Sequence, residues 1–125
     1  MELEQFALLL AALCHDIDHS GRTNAFEVNS YSNLALKYND ESVLENHHSA
    51  LTFKILCEEK YNVLCNLEET DWKYLRKYMI SNILHTDMKK HFESLGQFDA
   101  KMDDFMANPE ALCKKYFCFS VFSLI

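Results

Sequence analysis

Apolar residues recur along this chain at the three- and four-residue spacing of amphipathic helices, and almost nowhere at the two-residue spacing of strands. A first run from Leu3 to Cys14 carries Phe6, Leu9, Leu10 and Leu13. It gives way to Ser20-Gly21-Arg22, where Gly21 supplies a turn. Asn24 with Glu27 three residues later has the capping-box pattern and predicts a short helix to about Ser30. Ser32 to Tyr38 reads as another short helix, stopped by Asn39-Asp40. Ser42 with Glu45 repeats the box spacing and opens a longer helix to about Cys57, with Val43, Leu44, Leu51 and Ile55 as its apolar members. Asn66 with Glu69 marks the next start, and the helix that follows carries Trp72, Leu75, Tyr78, Met79 and Leu84. Asp87 has the position of an N-cap for a last helix through Phe92, Leu95 and Phe98. The predicted class is all-α. Residues 111–125 stand apart as a divergent hydrophobic tail ending in Phe119-Ser120-Val121-Phe122-Ser123-Leu124-Ile125.

Composition narrows the class of partner. With 125 residues, 49% of them hydrophobic, two glycines and one proline, the chain has the make-up of an ordered helical domain or a piece of one. A net charge of −7 and scattered Lys and Arg leave no basic stripe for phosphate backbones, so nucleic acid is not an expected partner. No segment has the length of a membrane span, and no secretory signal pattern opens the chain. Five cysteines, an odd number with no CxxC pairing, fit a reducing intracellular compartment such as the cytoplasm.

The chemistry concentrates at helix ends. In Cys14-His15-Asp16-Ile17-Asp18-His19, His15 and His19 are four apart and Asp16 and His19 three apart, so a helical end can aim them at one point. Imidazole suits zinc and carboxylate suits magnesium or manganese, so adjacent His and Asp fit a mixed or two-metal site. A solvated helix C-terminus, with His near the negative end of the dipole, is the plainer reading of the same residues. Glu45 and His48 share a face of the fourth helix, with His47 turned elsewhere, and His85-Thr86-Asp87 forms a third polar cluster. Singly, Glu45 is explained as a capping-box residue and Asp87 as an N-cap; together, the clusters suggest helix ends converging on one polar site.

The run from Cys14 to Phe26 resembles the metal-binding signature HDxDHxGxxNxF of class I cyclic nucleotide phosphodiesterases, of the HD superfamily. Leu34–Asp40, Ser42–His48 and Ile83–Met88 look like the family's next blocks, in order and at similar spacing. The resemblance implies a partial helical bundle of that catalytic domain over residues 1–110, acting on cyclic AMP or cyclic GMP as substrate. It also implies two divalent metal ions, zinc with magnesium or manganese, and attack by a bridging hydroxide to give the 5′-monophosphate. By the same carry-over His15 and Asp16 are metal ligands, Asp16 touching both ions, while His19, Glu45, His48 and Thr86 hold metal-bound waters. Asp87 and Met88 border the site, with Asp16 and Met88 beside the substrate. The family's HNxxH block, with its proposed general acid, is expected before Phe6, and its last ligand Asp and purine-gripping Gln beyond Phe98; neither appears here, and His85 stands where Ala is usual. Two other readings stand beside this one: a phosphohydrolase of the wider HD superfamily, and a truncated, inactive helical protein that binds metal or a partner.

Overall fold

A computed structural model describes residues 2–92; the expected end of the last helix, through Leu95 and Phe98, and the tail at 111–125 lie outside them. The elements are α1 (Leu3–Cys14), α2 (Asn24–Asn29), α3 (Asn33–Tyr38), α4 (Val43–Leu56), a 3-10 turn (Glu59–Tyr61) and α5 (Glu69–Leu84). Among the described residues there is no strand, so the all-α expectation holds. No described helix is long and apolar enough to cross a membrane. The chain divides into two compact units, one through Leu84 and one from His85.

In the first unit α5 packs against α1 and α4. Its buried stripe of Leu75, Met79 and Ile83, spaced by four, meets Ala7 and Ala11 of α1 and Phe53 and Leu56 of α4, with Leu64 closing the cluster. The two alanines let the backbones of α1 and α5 approach closely. The buried face of α1 is Ala7, Leu8 and Ala11, with Phe6 and Leu10 partly buried against the core and Leu9 and Leu13 exposed. Trp72 meets Phe53 edge to face, and the Arg76 guanidinium lies 4.1 Å from the Phe53 ring centroid.

The caps differ from the boxes read in the sequence. Thr23 caps α2, its Oγ1 accepting from Phe26 N–H at 3.2 Å, and Glu27 turns inward and is buried. Ser32 caps α3 as its position suggests, and Asn39 ends that helix in the left-handed region at φ 55°. Ser42 precedes α4 at φ 42°, and its hydroxyl does not cap the helix. Asn24 does so from a distance: its Oδ1 accepts from Leu44 N–H at 2.9 Å. In the second unit Asp87 is the N-cap expected of it, accepting from Lys89 N–H at 3.0 Å, and residues 88–92 are helical.

Candidate metal centre

α1 ends at Cys14, and His15 to His19 form the turn that follows. Two backbone bonds shape it, Ile17 N–H to Cys14 O at 3.2 Å and His19 N–H to Asp16 O at 3.1 Å. α4 runs beside this turn and places His48, which is 1% exposed, against it. Ligand atoms of Asp16, His19 and His48 lie within 4.8 Å of one another, so residues 32 positions apart in sequence come to one point.

The proton on each ring follows from its partner. His48 Nδ1 stands 2.7 Å from Ile17 O; a carbonyl only accepts, so Nδ1 carries the hydrogen and Nε2 is the acceptor of the neutral ring. His15 does the same with Ala12 O at 2.7 Å. Both acceptor nitrogens face Asp16, His15 Nε2 at 3.5 Å from Oδ2 and His48 Nε2 at 3.8 Å from Oδ1. One carboxylate thus offers a different oxygen to each imidazole. Two ligands of one tetrahedral zinc, each about 2.0–2.2 Å from it, stand roughly 3.3–3.6 Å apart. The His15–Asp16 separation falls in that range, and the His48–Asp16 one lies just beyond it. A backbone carbonyl fixing the second nitrogen is also the usual support of a metal-binding His.

His19 is built differently. Its Nδ1 accepts from Gly21 N–H at 2.9 Å, so the neutral ring carries its proton on Nε2. The ring stacks on His48 with centroids 5.6 Å apart. Proximity puts His19 in the donor cluster, but in this tautomer its Nε2–H is a hydrogen-bond donor and not a ligand atom. Gly21 adopts φ 76°, which directs its N–H back at His19 Nδ1.

Burial holds the His48 pKa below its ordinary 6.5; the Ile17 carbonyl and the Asp16 carboxylate pull the other way but weigh less. A neutral imidazole is the form a cation needs. Burial pushes the Cys14 thiol up, with the Thr52 hydrogen bond opposing, which favours the protonated form of this neighbour of His15.

Glu45 is oriented from α2: Asn24 Nδ2 donates to its Oε2 at 2.9 Å while the same amide caps α4. His47, turned off the Glu45–His48 face, donates through Nε2 to Asp18 Oδ2 at 2.8 Å. Neither link was visible in sequence spacing. Asn24 falls inside the HDxDHxGxxNxF pattern, the one signal that pointed to it. Thr86, Asp87 and Met88 belong to the second unit.

A profile of the 3′5′-cyclic nucleotide phosphodiesterase family matches residues 1–119. The chain belongs to this family. It is 47% identical over 102 residues to the 3′,5′-cyclic-nucleotide phosphodiesterase regA of Dictyostelium discoideum, covering 82% of this chain and 13% of that protein. It is 48% identical over 103 residues to the cGMP-inhibited 3′,5′-cyclic phosphodiesterase 3A of Rattus norvegicus, covering 82% of this chain and 9% of the relative. The crystal structure of the phosphodiesterase domain of the RhoPDE fusion protein from the choanoflagellate Salpingoeca rosetta matches with a TM-score of 0.78 at 54% identity. That match covers 80% of this chain and 32% of the solved one. The chain therefore spans a small part of the family members it resembles, and the part it spans holds the His-Asp turn.

Proposed function

We propose that this chain supplies the metal-binding face of a catalytic domain that hydrolyses cyclic AMP, cyclic GMP or both to the 5′-monophosphate in cytoplasmic signalling. The observation that carries the reading is the Asp16 carboxylate flanked by the acceptor nitrogens of His15 and His48, in a member of this family. Two divalent cations, zinc with magnesium or manganese, would supply Lewis acidity at the phosphoryl group and lower the pKa of the attacking water.

The chain's own residues then have distinct tasks. His15 and Asp16 bind the cations, with one Asp16 oxygen turned to each imidazole. His48, neutral and buried, backs Asp16 from α4. His19 donates its Nε2 proton to a phosphate or water oxygen. Glu45, held by Asn24, accepts from water and fixes its direction. For Thr86 and Met88 the family resemblance implies a water-holding and a substrate-bordering role.

The test is a chimera in which residues 1–92 replace the matching part of the Salpingoeca rosetta phosphodiesterase domain. Supplied with zinc and magnesium or manganese, it is expected to convert cyclic AMP or cyclic GMP to the 5′-monophosphate, and Asp16→Asn is expected to abolish turnover. A folded chimera that hydrolyses neither nucleotide contradicts the proposal, as does one in which Asp16→Asn retains full activity.

A further inference from the structure

Adjacent residues of α4 reach the turn at 15–19 in two ways. His48 bonds the Ile17 carbonyl at 2.7 Å, and His47 Nε2–H bonds Asp18 Oδ2 at 2.8 Å. We propose that the Asp18–His47 pair is a positioning device for the metal centre: it touches no cation, and it fixes how far Asp16, on the turn, stands from His48, on α4. The inference rests on reading Asp16 and His48 as parts of one metal centre.

The two backbone bonds inside the turn set its local shape but not its place over α4. That place depends on bonds between the two elements. His47 spends Nε2 on Asp18, and its ring is tilted 56° from that of His48, so it stands beside the donor cluster and outside it. Asp18 sits at φ 60°, a conformation that Asp, Asn and Gly tolerate and most residues resist. The backbone is thereby bent so that the Asp18 side chain leaves the Asp16–His19 cluster and meets α4. The Asp18 side chain is 67% exposed, and so open a pair adds little to folding stability. Its leverage is geometric, because ligand atoms must be held within about 0.5 Å of the productive arrangement.

Zinc titrated into the purified chimera carrying residues 1–92, in competition with a chromogenic chelator, tests this. Asp18→Gly accepts φ 60° without strain and removes the carboxylate; His47→Ala removes the other partner. Each is expected to weaken zinc binding about 10–100-fold, the loss usual for groups that orient metal ligands. The double variant is expected to be no weaker than the worse single one. Asp18→Asn, which keeps an acceptor oxygen and tolerates the same φ, is expected to bind zinc within a few-fold of the unaltered chimera. Melting midpoints and far-ultraviolet circular dichroism are expected to stay unchanged throughout, which a purely structural role would not allow. Zinc affinity unchanged in both Asp18→Gly and His47→Ala overturns the positioning role and leaves the metal centre standing. A chimera with residues 1–92 unaltered that takes up no zinc overturns the metal centre and the positioning role with it.

Discussion

At the residue scale, the chemistry of the site turns on which nitrogen of each His carries its proton. Ala12 and Ile17 carbonyls set that for His15 and His48, and the Gly21 amide sets the opposite choice for His19. Asp16 and Glu45 are accordingly unequal. In the Salpingoeca chimera, Asp16→Asn keeps the shape and loses the charge offered to both imidazole sides, whereas Glu45→Gln is expected to cost about 10–100-fold in turnover. Steady-state rates for the two variants check the order; equal losses would refute the division of roles. Protonation of His48 gives a second prediction. Its folded pKa lies below the ordinary 6.5, so between the two values the unfolded chain binds a proton that the folded chain excludes. Stability is then complete above 6.5 and falls as pH drops toward the folded value. Urea melts across that window are expected to show a midpoint that declines with acidity, and a smaller decline in His48→Gln.

At the scale of elements, α2 acts through a single side chain. Asn24 receives Leu44 N–H at the start of α4 and holds Glu45 with its amide hydrogens. Asn24→Ala is expected to cost about 0.5–2 kcal/mol of stability, the loss typical of a cap, and to lower turnover by releasing Glu45. Denaturant unfolding and chimera assays read the two effects separately, and Asn24→Asp should keep the cap while repelling Glu45. Helix bounds were legible in the chain because periodicity and punctuation agree there: Leu3 to Cys14 was read as it stands, and Asn39 ends α3 where expected. The caps of α2 and α4 were not. Asn24 and Glu27 have capping-box spacing, but one side chain leaves for α4 and the other is buried, while the Ser42 backbone is left-handed. Local spacing cannot register a bond that spans 20 or 21 residues, such as those of Asn24. The same limit hid the Asp18–His47 link, 29 residues apart, although both residues lie inside recognisable motifs.

At the scale of the whole molecule, the described residues combine a small buried core with a polar turn that is left largely open. Leu9, Leu13, Leu36 and Val63 are exposed, and so is Asp16. Within the first unit the acceptors facing Asp16 are His15 and His48, and a pair of cations asks for more ligands than that turn and α4 provide. The 125-residue chain assayed by itself is therefore expected to show no metal-dependent release of 5′-monophosphate from cyclic AMP or cyclic GMP. Turnover above background in saturating zinc, magnesium and manganese would show that the chain assembles a complete site.

On the proposed reading the metals are held at the Asp16 carboxylate, between His15 and His48. Anomalous scattering from crystals of the chimera, recorded at the zinc and manganese edges, tests it most directly. A zinc peak is expected about 2.0–2.2 Å from His15 Nε2 and one Asp16 oxygen, with a second metal peak on the other side of the same carboxylate. Metal peaks that leave Asp16 and His15 uncoordinated, in crystals that contain zinc and manganese, would contradict it.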